Sequence, residues 1–128
     1  MKTAALILSS LLAGGTPAAV DGTVQSLLSK DLTGVPGREV SMILVEYPPG
    51  ASSPVHTHHA QALVYVLEGS IVMQVRGRAP VTLAPGQTWY EGPDDVHVVS
   101  RNASHWAPAK FLVFLVKDKG AQILVPAK

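Results

Sequence analysis

The sequence contains no cysteine, which excludes disulfide bridges and any metal site built on thiolates. A metal held by this chain must take nitrogen and oxygen ligands. Aromatic residues are scarce, at two Trp, three Tyr and two Phe, so Val, Leu and Ala supply most of the apolar volume. Charge of one sign is also missing: ten Lys and Arg stand against nine Asp and Glu, with no block of like charge. That balance argues against a nucleic-acid partner, which calls for clustered positive charge. It argues equally against a basic arm for a membrane surface. No internal repeat is visible, and 128 residues make room for one domain rather than two.

The first residues have the layout of a secretory leader. Lys2 is a short positive start, Ala4 to Leu12 is apolar and uncharged, and Gly14 to Ala19 are mostly small residues. The apolar run is too short to cross a bilayer as a stable helix. The expectation is a signal peptide over 1–19 and an exported domain over 20–128, secreted or periplasmic, with no membrane contact once the leader is removed. A buried N-terminal helix is the alternative. Loss of Lys2 with the leader leaves nine charges of each sign.

From residue 20 onward no stretch shows a helical apolar period. Val20 to Pro36 reads as an arm or first strand, with a turn over Gly34 to Gly37. Further strands are expected at Val40–Tyr47, Ala62–Leu67, Ile71–Val75, Val81–Leu83, Thr88–Glu91, Val96–Arg101, Phe111–Val116 and Gln122–Val125. Glu68-Gly69-Ser70 reads as a tight hairpin between two of them. Many short strands with Gly and Pro in the turns indicate a sandwich or barrel. Phe111 to Val116 is apolar on both faces, which points to a strand covered by the core on one side and by a partner subunit on the other.

Three of the five histidines fall in Val55-His56-Thr57-His58-His59. Side chains two apart on a strand share a face, so His56 and His58 can reach one point. Neutral imidazole is the commonest protein metal ligand. A polar surface strand is the other reading of that spacing.

The segment from Gly50 through His58, closed by Tyr65 to Gly69, resembles the first sequence motif of the cupin superfamily. The segment from Gly86 through His97, followed by Asn102, resembles the second. Together they cover about half of the chain after the leader. The resemblance implies an all-β cupin jelly-roll barrel whose mouth holds one divalent metal ion, with His56, His58 and His97 at the matching ligand positions. The family motif usually has a glutamate ligand four residues after the second histidine, and here that position is Ala62. Gln61 is the nearest polar substitute, as a ligand or as a residue behind the ligands. His59 points away from His58 and is expected at the rim. The second departure, Gly92-Pro93-Asp94, alters a turn.

A ligand set of three neutral imidazoles and at most one amide favours copper, with manganese, iron, nickel or zinc as alternatives. Three histidines leave coordination positions open for oxygen, peroxide or substrate. No Ser-His-Asp set or carboxylate pair stands out, so acyl transfer and ordinary glycoside hydrolysis are poorly supported. Tyr65 leaves the site on a strand and is expected in the core, with a redox role as the alternative. Trp106 and His105 lie in a polar loop ending at Pro108, where an exposed indole offers a face for a sugar or phenolic ring. Trp89 is expected in the core or an interface.

The first functional expectation is an exported metal-dependent oxidoreductase that activates oxygen or peroxide and acts on a polysaccharide or on a phenolic such as a flavonol. The alternatives are a non-catalytic metal or small-ligand binding module in the periplasm and a sugar isomerase or epimerase. A homodimer is expected, since the resemblance implies sheet contacts and the last strands are doubly apolar.

Overall fold

The structure is a computed structural model that describes residues 20–128; the leader expected over 1–19 lies outside the described residues. Ten strands and no helix make up the described chain: β1 (Thr23–Asp31), β2 (Arg38–Tyr47), β3 (His56–Thr57), β4 (Gln61–Glu68), β5 (Ile71–Val75), β6 (Val81–Leu83), β7 (Thr88–Glu91), β8 (His97–Asn102), β9 (Ala109–Asp118) and β10 (Val125–Pro126). They form two five-stranded antiparallel sheets, in the orders β1-β2-β9-β4-β7 and β10-β3-β8-β5-β6. The all-β jelly-roll barrel expected from the resemblance is therefore what the chain forms.

Alternation along the strands sets the two faces of the larger sheet. In β2 every second residue is buried, which sends Ile43, Val45 and Tyr47 inward. In β4 it sends Ala62, Val64 and Val66 inward, and in β9 Phe111, Val113 and Leu115. Ile71 and Met73 of the second sheet close the core from the opposite side. Trp89 packs partly buried against this core, as expected.

The outward residues of the larger sheet are apolar as well. Tyr90, Leu63, Phe114, Met42 and Leu28 lie in one register row that crosses all five strands. Leu63, Tyr90, Phe114 and Leu28 are among its exposed members. Tyr65, expected in the core, lies on this outer face with 44% of its surface exposed. The reason is parity: Val64 and Val66 take the inward positions on either side of it.

Glu68-Gly69-Ser70 is not a hairpin. β4 pairs with β7 and β9, whereas β5 pairs with β6 and β8, so the turn is a corner that carries the chain from one sheet to the other. Gly69 has φ 69° there. A Cβ at that position would collide with the Pro108 carbonyl oxygen, so only glycine fits.

A strap after β9 closes one end of the barrel. Lys117 points inward, is buried, and donates to Glu39 Oε1 at 2.6 Å and to the Ala121 carbonyl at 2.7 Å. The Lys117 ammonium and then the Gly120 N–H hold the Glu39 carboxyl below its ordinary pKa. These contacts fix the turn after β9, from which the chain crosses to the second sheet and pairs β10 with β3.

Candidate metal centre

Four side chains converge at the strap end of the barrel. His56 on β3 and His97 at the start of β8 are register partners. His58 follows His56 by two residues, as the spacing requires for a shared face. His59 then adopts a left-handed backbone with φ 46°, which histidine tolerates better than bulky or branched residues. This turns the chain into β4 and leaves His59 exposed at the rim. Glu91, the last residue of β7, completes the group.

The ligand atoms of His56, His58, Glu91 and His97 all lie within 4.8 Å of one another. His56 Nε2 and His58 Nε2 are 3.2 Å apart. Glu91 bridges the other two rings, with Oε1 2.7 Å from His58 Nε2 and Oε2 3.1 Å from His97 Nδ1. The site is deeply buried: the side chains of Glu91 and His58 are 3% and 11% exposed.

Backbone carbonyls orient two of the rings. His56 Nδ1 donates to the Pro54 carbonyl at 2.7 Å, and His58 Nδ1 donates to the Ile123 carbonyl of the strap at 2.6 Å. Both rings thereby present Nε2 to the centre. This assignment follows from the hydrogen-bond network. Burial, reinforced by the neighbouring His58 and His97, lowers the His56 pKa to about 4 despite the Pro54 carbonyl. Burial also opposes charge on His58, but Glu91 and the Ile123 carbonyl together outweigh it and raise the His58 pKa. Glu91 is held well below the carboxylate range: burial acts upward, and the His58 hydrogen bond, the close His97 ring and the charges of both overcome it. Without metal, then, Glu91 favours the protonated form of His58, and burial favours the neutral form of His56.

These residues fit a divalent ion. Glu91 Oε2 and both ring nitrogens of His97 are buried without a hydrogen-bond partner in acceptable geometry, a costly arrangement that a cation relieves. Metal–nitrogen bonds of about 2.1 Å place opposite ligand atoms about 4.2 Å apart, close to the spread found here.

The fourth ligand position corrects the sequence reading. Gln61 is exposed, because Ala62 next to it takes the inward position, so Gln61 is not a member of the group. Ala62 is fully buried and is the direct cross-strand partner of Glu91. Paired residues place their Cβ atoms about 5 Å apart on one face. The carboxylate missing at position 62 is thus supplied by the adjacent strand, and the small Ala62 leaves it room. Glu91 escaped the sequence reading, although its parity on β7, shared with Trp89, put it inside. The ligand set therefore carries one negative charge. The preference for copper, which rested on neutral ligands, loses that ground.

His105 and Trp106 stand elsewhere. β8 runs from His97 at the metal end to Asn102 at the other, about 16 Å away at about 3.3 Å per residue. The loop after Asn102 is firmly built: the Asn102 amide donates to the Tyr47, Pro48 and Ala107 carbonyls, and Ser104 Oγ accepts from the Trp106 and Ala107 N–H groups. It holds Trp106 87% exposed at the end of the barrel remote from the histidines. Trp106 and His105 therefore do not line the metal site. The exposed His59 and Tyr65 do not line its cavity either.

The centre opens on a cavity of about 240 Å³ inside the barrel. Val45, Val64, Met73, Phe111, Val113 and Ile123 give it an apolar wall.

No curated protein matches the sequence. Among solved structures, a conserved protein with a double-stranded beta-helix domain from Klebsiella pneumoniae aligns over 88% of this chain and 90% of its own, with TM-score 0.66 and 17% identity. TT1209 from Thermus thermophilus is 26% identical over 76% of this chain and 84% of its own, with TM-score 0.61. The DMSP lyase DddQ from Ruegeria pomeroyi is 24% identical with TM-score 0.61; the match covers 69% of this chain but only 43% of that enzyme, so this chain spans less than half its length. Residues 43–115, more than half of the chain, match the family model described as Cupin domain, and the protein belongs to the cupin family.

Proposed function

We propose that the protein is a metal-dependent enzyme, an exported oxygenase-type oxidoreductase that acts on a small, largely apolar molecule such as a phenol. The observation that carries this reading is the buried group of three histidines and one carboxylate opening on an apolar cavity. The cavity's 240 Å³ is about eight waters' worth at about 30 Å³ each, and lies below the range of about 300–1,000 Å³ of drug-sized ligand pockets. Ligands this deeply buried, on a cavity this small, favour a small molecule over a polysaccharide. A redox-active ion such as copper, iron or manganese would supply oxygen activation. The protein's part is to hold that ion through His56, His58, Glu91 and His97, to orient two of the rings by backbone carbonyls, and to keep water out.

The test loads the metal-free protein with each ion in turn and follows oxygen uptake and products over a panel of small phenols. Uptake that needs both metal and substrate, and that vanishes in His97→Ala, supports the reading. A product formed without oxygen would replace it by a lyase or isomerase, and binding without turnover would replace it by a binding module.

A homodimer is part of the same proposal. The apolar row from Tyr90 to Leu28 runs across the whole outer sheet, and a second copy offers it a matching surface. Light scattering at micromolar concentration should give twice the chain mass, and Phe114→Lys should give the monomer. A monomeric wild type refutes the dimer.

A further inference from the structure

The cavity contains a second polar feature that the metal site does not use. Tyr47, at the end of β2, Ser53 and Ser100 all line it. The Tyr47 hydroxyl touches both serines, contacting Ser53 Oγ and lying 2.8 Å from Ser100 Oγ. Tyr47 and Ser100 are buried. Apart from the metal group, these are the polar side chains on an otherwise apolar wall.

Their inward aim depends on an irregularity in β8. His97 and Ser100 are three residues apart and would face opposite ways on a regular strand. The register with β5 shifts by one residue between Gln74 and Val75, opposite Val99 and His97. This bulge buries both His97 and Ser100 and leaves Val98 and Val99 between them only half-buried. Bulges re-aim side chains in this way beside functional sites. On the facing segment the same interval separates Ser53 from His56, and the Ser53 N–H donates to the Ser100 carbonyl at 2.8 Å. The hydroxyl cluster therefore sits about 10 Å along the barrel from the His56–His97 pair, at about 3.3 Å per residue.

Counting hydrogens shows what the cluster has to offer. Three hydroxyls carry three hydrogens, one each, but they share only two oxygen–oxygen contacts. None of the three oxygens makes another side-chain hydrogen bond among the described residues. Whichever way the hydroxyls rotate, one O–H is left without an acceptor from the protein. In an apolar cavity that spare donor calls for a ligand oxygen.

We propose that Tyr47, Ser53 and Ser100 form the second recognition point of the substrate pocket. The substrate class is then a small bifunctional molecule, with a metal-binding group at one end, an apolar body, and a hydrogen-bond acceptor such as a carbonyl or ether oxygen at the far end. This rests on the metal-centred reading of the same cavity. It adds what lies opposite the metal, and it assigns specificity to the triad, not catalysis.

The test is a binding measurement without turnover. Protein loaded with zinc, which has no redox chemistry, is titrated calorimetrically with 5-oxohexanoate and with 5-methylhex-5-enoate. The two have the same shape, and the second replaces the ketone oxygen by a methylene group. One neutral hydrogen bond predicts about fivefold tighter binding of the ketone. In Tyr47→Phe/Ser53→Ala/Ser100→Ala the two affinities should become equal, while the alkene binds as before. Ser100→Ala alone should keep the preference, because two hydroxyls sharing one contact still leave one hydrogen over. Equal or absent affinities in the zinc-loaded wild type overturn the proposal whether or not the triple variant folds. So does a preference that survives in a triple variant shown by its melting curve to be folded. Failure of zinc itself to bind, read in a separate titration, overturns the metal-centred reading as well.

Discussion

The two ends of the barrel both carry histidine and other chemistry-bearing side chains, yet they are built differently. At the strap end, His56, His58, Glu91 and His97 are drawn inward, two of the rings are held by backbone carbonyls, and three polar atoms have no partner. At the opposite end, His105 and Trp106 stand on a loop held by several backbone hydrogen bonds, and both side chains face solvent. An exposed loop meets its remaining hydrogen-bonding needs from water. A buried group with unpaired donors and acceptors cannot, and that is the physical mark of a ligand site.

The strongest test of this contrast moves the carboxylate. Glu91→Ala should weaken zinc binding by at least about a hundredfold, since loss of even an outer supporting partner costs 10–100-fold. Adding Ala62→Glu to that variant puts a carboxylate back on the same inner face from the paired position, and should recover most of the affinity. A chelator-competition titration measures both. If Glu91→Ala binds zinc as the wild type does, Glu91 is not a ligand and the site reduces to three histidines.

That experiment also marks how far the sequence could be read. The fold was legible because its information is local: alternation in Val40–Tyr47 and Ala62–Leu67 fixes which residues face inward. The three histidines were legible because His56 and His58 are two apart and His97 falls in a second motif. Glu91 was not, because its claim comes from pairing with Ala62 across two strands nearly thirty residues apart in the chain. Gln61 was named in its place by closeness in sequence, and parity turns it outward. The Glu68-Gly69-Ser70 corner was misread for a related reason: a short turn does not reveal whether its two strands share a sheet. Trp106 was visible as a loop tryptophan, but the length of β8, which carries it away from His97, acts only once the sheet is assembled.

A smaller effect separates the ends by pH. The His56 pKa in the metal-free protein is about 4, against 6.5 for an unperturbed histidine. Its folded pKa is depressed, so between those values the unfolded chain binds a proton that the folded chain refuses. Stability is therefore lost as pH falls through that window, by up to about 3 kcal/mol at 1.36 kcal/mol per unit. His58 has a raised pKa, so its contribution is complete below pH 6.5 and does not change there. Glu91 adds its own loss only below about pH 4.5, where the unfolded carboxyl takes up its proton. Denaturant titrations of metal-free protein at pH 6.5 and 5 should show the drop, and His56→Phe should flatten it. An equal slope in that variant would assign the drop to another group.

The smallest expected effect is at the far end, and its smallness is the point. Trp106→Ala should change stability by no more than about 0.5 kcal/mol, as for a surface substitution away from packing or caps. It should leave zinc affinity and the preference for 5-oxohexanoate untouched. Fluorescence gives an internal control: Trp106 is exposed and Trp89 is packed against the core. The variant should lose the component that iodide quenches and keep the one that it does not. In the wild type, zinc or the ketone ligand should leave the iodide-quenched Trp106 component unchanged, because about 16 Å of β8 separates the indole's loop from His97. A ligand affinity that falls in Trp106→Ala would mean that the two ends communicate, and the division between a binding end and a solvent-facing end would not hold.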